Sequence, residues 1–197
     1  MQFGLETIWA VLAGYLAGSI PFGLVLTRLS GLDDIRKIGS GSIGATNVLR
    51  TGHKGLAAAT LVLDLVKGFV PVFLAARFFP GLEGWVALAA VVGHCYPVWL
   101  NFRGGKGAAT TAGVCFGLAW PLGLAYALVW LGMVALTRIS SLGSLSAAVA
   151  APAVAFTMER MDVFPFLVAI AAMVIWRHSA NIGRLVNGNE PKIGGNR

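Results

Sequence analysis

Three polar segments of this chain carry residues suited to holding anions. The first, GSGSIGATNVLR, runs from Gly39 to Arg50. Its glycines Gly39, Gly41 and Gly44 permit positive φ and let backbone N–H groups converge on an anion. Ser40, Ser42, Thr46 and Asn47 add side-chain donors, and Arg50 adds a guanidinium fork matched to phosphate oxygens. The segment lacks the full GxxxxGK[ST] pattern, so nucleotide hydrolysis is not indicated. Taken alone it reads equally well as a flexible connector.

The second segment, GHCYPVWLNFRGGKGAAT, surrounds Lys106 with Gly104, Gly105 and Gly107 just before an apolar helix, whose N-terminus adds N–H donors of its own. Two such cradles suggest two anionic groups. His94, inside the apolar part, reads as a hydrogen-bonded packing residue. In the third segment, RHSANIGRLVNGNE, helical spacing puts Arg177, His178, Asn181 and Arg184 on one polar face. Snorkelling arginines at a solvated helix end would explain the cations; His178 and Asn181 are not needed for anchoring.

Absences narrow the chemistry. Five positions after His53, His94 and His178 stand Ala58, Trp99 and Gly183, so the HxxxxD pair of thioester-dependent acyltransferases is missing. No zinc signature and no GxSxG elbow occurs. Asp33 and Asp34 are adjacent and isolated, so no acidic cluster is available for magnesium. No metal site and no cofactor is therefore expected.

The elements that must position these segments are membrane helices. Of the 197 residues, 57% are hydrophobic and 12% charged, and the mean hydropathy is +0.78, outside the range of a soluble domain. Long apolar runs meet the ~20 residues needed to cross a ~30 Å hydrocarbon core. The first, which carries Glu6 and lacks a basic leader, reads as a retained span. Cys95 and Cys115 lie in apolar stretches without metal-ligand spacing and read as small buried side chains. Gly14 and Gly18 form a small-xxx-small pair for close helix packing. Asp64 and Lys67, one turn apart inside the second run, read as an ion pair facing the bundle or as catalytic groups.

The net charge of +7 falls in clumps around the three polar segments, ending with Lys192 and Arg197, and the positive-inside rule puts all three on the cytoplasmic face. Spans are expected over about Phe3–Thr27, Gly55–Phe79 and Trp85–Leu100, with the cation-free PGLEG turn outside. Between the second and third segments the number of crossings must then be even. Ala108–Leu136 would be about 43 Å long as one helix, and WPLG at Trp120–Gly123 interrupts it. Two short helices of about 20 Å hinged near Pro121, followed by spans over about Ser140–Met158 and Val163–Trp176, satisfy the parity. The expected fold is an all-α polytopic membrane protein forming a single domain over residues 1–197. It has seven transmembrane helices, some of them short, an outside N-terminus and a cytoplasmic C-terminus.

Together the three segments resemble the motifs of the acyl-phosphate:glycerol-3-phosphate acyltransferases, the bacterial PlsY-type family, and the likeness spans nearly the whole chain. Ser42 stands where that family usually has asparagine, Arg103 where lysine is common, and Ser179 where a basic residue often follows the histidine. The resemblance implies transfer of a fatty acyl chain from acyl phosphate to glycerol 3-phosphate, giving lysophosphatidic acid and phosphate. This is the first acylation of phospholipid biosynthesis, and it is placed in the bacterial inner membrane with a cytoplasm-facing site. It implies membrane lipid and the acyl-phosphate-forming enzyme as partners, and no nucleic acid. It implies catalytic roles for His178, Lys106 and Asn181. Ser40, Gly41, Ser42, Thr46, Asn47 and Arg50 would bind phosphate, as would Gly104, Gly105, Gly107 and Arg184. The proton of the attacking hydroxyl is left to His178 or to a phosphate oxygen of the donor. Glu190, far down the tail, is set aside as base. The reading from another functional class is a transporter or channel for a phosphorylated solute.

Overall fold

The computed structural model describes residues 4–194 and is helical, with no strand among them. Phe3 and Arg197 lie outside the described residues. The first apolar run forms α1 (Leu5–Gly18) and α2 (Phe22–Leu29), parted at Pro21. Proline has no N–H to donate, and its ring displaces the helical carbonyl four residues back. A five-residue helix, α3 (Ala45–Leu49), leads into α4 (Lys54–Phe78), which at 25 residues is about 37 Å long. α5 (Glu83–Cys95) follows. It stops five residues short of the expected end at Leu100, because Pro97 disfavours helical geometry at Tyr96, and a single 3₁₀ turn, Val98–Leu100, fills the remainder.

The long apolar stretch after Lys106 divides into α6 (Ala108–Leu118) and α7 (Trp120–Thr137), with Ala119 fully extended between them. Pro121 sits in the first turn of α7, where its missing N–H leaves no bond unmade. The halves are unequal: α6 rises only about 16 Å and α7 about 27 Å. Arg160, from the turn after α8 (Ser140–Thr157), donates to the Leu118 carbonyl at 3.3 Å and so satisfies the end of the short helix. α9 (Phe164–Arg177) and α10 (Ser179–Val186) meet at His178 with a 62° bend.

Leu5–Leu29, Lys54–Phe78, Trp120–Thr137 and Ser140–Thr157 are each long and apolar enough to cross a membrane, as is the bent pair of α9 and α10 if taken as one span. Large apolar side chains such as Ile8, Trp9, Val62, Phe73, Leu124 and Leu128 point outward. The interior is filled by smaller ones, including Val72, Ala87, Ala90, Val114, Ala147 and Ala148. With lipid outside as apolar as leucine, such helices associate by close packing of small residues. α1 lies on α5 so closely that a Cβ on Gly18 would sit 2.0 Å from the Ala90 carbonyl oxygen. α4 lies on α6 in the same way, with Gly113 against the Leu65 carbonyl. These contacts fix the two helix pairs that flank the first two polar segments.

Candidate active site

The loop from Gly39 to Arg50 is organised by Asn47, which is 2% exposed. Its Oδ1 accepts from the Ser40 N–H at 3.1 Å and from Arg50 Nη1 at 3.3 Å. Its Nδ2 donates to the carbonyls of Ile35 at 2.7 Å and Ser42 at 2.8 Å. The amide of Asn47 is thus engaged within the loop, and the other polar side chains of the loop that line the cavity are Ser40, Ser42, Thr46 and Arg50. Gly39 has φ +56, and a Cβ there would lie 2.3 Å from Arg50 Nη1, so the loop closes only over glycine. Thr46 Oγ1 lies 3.1 Å from Ser140 Oγ, tying this loop to the start of α8.

The Lys106 loop is held from both sides. The N–H groups of Gly104 and Gly105 donate to the carbonyls of Cys95 and His94 at 3.1 and 3.0 Å. Arg177 donates to the Gly105 carbonyl through Nε at 3.0 Å and to the Gly104 carbonyl through Nη2 at 3.1 Å, while lying over the Tyr96 ring at 5.2 Å. The two glycine N–H groups expected to face an anion therefore point back at α5. Lys106, and the N-terminus of α6 entered through Gly107 at φ +89, remain as the groups of this segment suited to an anion.

Lys106 Nζ donates to Asn181 Oδ1 at 2.7 Å, joining the second and third segments. Burial pushes the Lys106 ammonium down to about 8, with the nearby cations Arg184, Arg50 and Arg177 acting in the same direction and Glu190 opposing them. His178, 3% exposed at the α9–α10 bend, has Nδ1 2.7 Å from the Val174 carbonyl. A carbonyl only accepts, so the ring proton belongs on Nδ1, and Nε2 is the nitrogen left for a ligand.

Glu190 is a site residue that the sequence reading set aside as remote. Its carboxylate accepts from Asn181 Nδ2, from Ser141 Oγ at 2.7 Å and from Arg184 Nε at 2.7 Å. Burial pushes the carboxyl up, but those hydrogen bonds outweigh it and hold the group below its ordinary range. The turn at Gly188, φ +69, returns the chain to the site. Sequence offered one signal: a carboxylate a few residues past Arg184, after a turn built on Asn187 and Gly188. Ser140 and Ser141, which also line the cavity, were likewise unmarked by any motif.

The segments converge on two cavities that share Lys106, Ser40 and Ser42. The larger, of about 1010 Å³, has Arg50, Lys106, His178, Asn181 and Glu190 at one end and an apolar wall of Leu61, Leu65, Ala112, Tyr126, Trp130 and Leu131 from α4, α6 and α7. The smaller, of about 170 Å³, is walled by Gly41, Gly104, Arg177 and Arg184 in addition to the shared residues. All thirteen residues singled out by the sequence reading thus line one cavity or the other, or belong to a loop that does, as Gly105 does. The arrangement suits a molecule with an anionic head and a long apolar tail, beside a second small anion.

Comparison with known proteins points the same way. The family model described as Glycerol-3-phosphate acyltransferase matches residues 8–188. A glycerol-3-phosphate acyltransferase of Erythrobacter litoralis is 62% identical over 98% of both chains, and one of Mesorhizobium japonicum is 53% identical over 98% of both. Among solved structures, PlsY, described as an integral membrane glycerol 3-phosphate acyltransferase, is similar in its glycerol 3-phosphate form with a TM-score of 0.92 and 39% identity, covering 96% of each chain. Its lysophosphatidic acid form gives 0.90 and 38%.

Proposed function

Since the chain belongs to the glycerol-3-phosphate acyltransferase family, and is a multi-pass membrane enzyme of that kind, we propose that it takes its acyl group from acyl phosphate. The supporting observation is the continuity of the large cavity, whose cationic end at Lys106 and Arg50 runs into an apolar wall of α4, α6 and α7. An acyl phosphate is a mixed anhydride with a good leaving group, so no covalent intermediate on a side chain is needed.

The acyl tail lies along the apolar wall with its carbonyl near Lys106. Its phosphate occupies the small cavity against Lys106, Arg177, Arg184 and Ser40. Glycerol 3-phosphate takes the polar end of the large cavity, its phosphate on Arg50 and its hydroxyls near Asn181, His178 and the start of α8. The glycerol hydroxyl oxygen bonds to the carbonyl carbon, the bond from that carbon to the bridging phosphate oxygen breaks, and the hydroxyl proton passes to an oxygen of the departing phosphate. Lys106 stabilises negative charge developing between the two. His178 Nε2 accepts from the hydroxyl and aims it. No metal or cofactor enters this scheme.

In this reading the protein is a single domain that crosses the inner membrane seven times: through α1 with α2, then α4, α5, α6, α7, α8 and α9. The N-terminus is outside, and the site and C-terminus are cytoplasmic, where the clumped cations belong. The enzyme that forms acyl phosphate is the partner on that face.

The test is phosphate release by the purified protein in lipid, given acyl phosphate and glycerol 3-phosphate. Release that requires both substrates supports the reading. Turnover with acyl-CoA or acyl-carrier protein but not with acyl phosphate overturns it. Near-normal turnover and an unchanged pH profile in His178→Gln separate a donor-phosphate base from a histidine base.

A further inference from the structure

Asp64 and His94 take no part in the chemistry above, yet both are buried in the wall of the large cavity, at 1% and 3% exposure. α4 and α5 bring Asp64 Oδ1 to 3.8 Å from His94 Nδ1. The same carboxylate oxygen holds Lys67 Nζ at 2.7 Å, and Lys67 donates to the Ile20 carbonyl at 2.6 Å, beside the break between α1 and α2. A buried ion pair adds little net stability over an apolar pair of the same volume. Its placement is more informative than its energy.

The backbone of the Lys106 loop rests on the His94 ring: a Cβ on Gly105 would lie 2.0 Å from Nε2 and 2.7 Å from Cε1. The Gly105 N–H also donates to the His94 carbonyl at 3.0 Å. From the other side Arg177 holds the carbonyls of Gly104 and Gly105. The peptide immediately before Lys106 is therefore clamped between His94 and Arg177.

We propose that His94 is a positioning residue whose imidazole sets the height of the Gly105–Lys106 backbone, with the Asp64 carboxylate, paired to Lys67, flanking the Nδ1 side of that ring. A shift of about 1 Å in a substrate-holding group costs on the order of 100-fold in rate, so a platform directly beneath the loop governs how well Lys106 meets the donor phosphate. This inference rests on the reading of Lys106 as the phosphate-binding lysine.

Three substitutions that shorten the side chain by steps, each measured beside thermal stability, separate platform from packing. His94→Gln keeps an amide at the place of Nε2, under Gly105. His94→Asn keeps only the part facing Asp64, and His94→Ala keeps neither. The KM for acyl phosphate is expected to rise about 10-fold or more in His94→Asn and His94→Ala, with the KM for glycerol 3-phosphate changed less than threefold, and to recover most of the way in His94→Gln. The double variant D64N/K67Q, which strands neither charge, is expected to show a smaller rise of the same selectivity. Unchanged KM in His94→Asn, or equal losses in all three variants and for both substrates, overturns the proposal. Lys106→Ala is measured alongside: an active Lys106→Ala removes the underlying reading, whereas an inactive one beside a normal His94→Asn removes the positioning role alone.

Discussion

Lys106 and Asn181, 75 positions apart in the chain, are joined by a 2.7 Å hydrogen bond from Nζ to Oδ1. That bond draws the loop before α6 onto α10 and holds the one lysine common to both cavities in place. Asn181 is itself held by Glu190, so the ammonium is aimed by a chain of polar contacts rather than by its own flexible stem.

Lys106→Ala is expected to lower kcat/KM by about 100-fold or more while the protein stays folded and monodisperse. Asn181→Ala should cost less, because the ammonium remains but loses its fixed aim. Phosphate-release kinetics and size-exclusion chromatography check both; wild-type rates in Lys106→Ala would remove the cation from the mechanism.

The pH dependence follows from the same lysine. Its affinity for a proton is depressed to about 8, so in the free enzyme the positive charge is present below that pH and is lost as the pH rises through it. kcat/KM should fall along that limb. The limb in kcat should lie higher, because a bound phosphate dianion favours the charged amine. Lys106→Arg, which stays charged, should abolish the limb.

Glu190→Ala removes the acceptor shared by Ser141, Asn181 and Arg184, and a loss of about 2 kcal/mol is expected. The group's folded pKa is depressed. Its contribution is therefore present above the ordinary carboxylate range and disappears as the pH falls through the folded value. Thermal unfolding of wild type and variant should converge on acidification.

Asn47→Asp should damage the first loop at least as much as Asn47→Ala. The substitution sets a carboxylate against the carbonyl oxygens of Ile35 and Ser42, which now accept from Nδ2. The KM for both substrates, measured beside thermal stability, tests this; an Asn47→Asp enzyme of normal activity would show that the amide donors are dispensable.

Ala112→Phe places a ring in the apolar wall of the large cavity. Long-chain acyl phosphates should lose more than 10-fold in kcat/KM relative to short-chain ones, whose tails end before the obstruction. The effect on glycerol 3-phosphate should be small. Equal losses for all donors would place the tail elsewhere.

Membrane residence, the helical class, the three donor-rich polar segments and the helix break ahead of Pro121 were all legible in the residues. Hydropathy and proline chemistry act locally, and Gly14 and Gly18 announced close packing that α5 supplies. The end of α5 was readable in principle at Pro97 but was overrun by apolar continuity. Tertiary structure alone decided which polar atoms reach the cavity. Gly104 and Gly105 turn their N–H groups to α5, Asn47 turns its amide into its own loop, and Glu190 returns from the tail to bind Asn181. A motif fixes residue types and spacing, but a hydrogen-bonding group can be engaged by any partner that folding brings near. That choice depends on contacts between segments far apart in the chain, which no local pattern encodes.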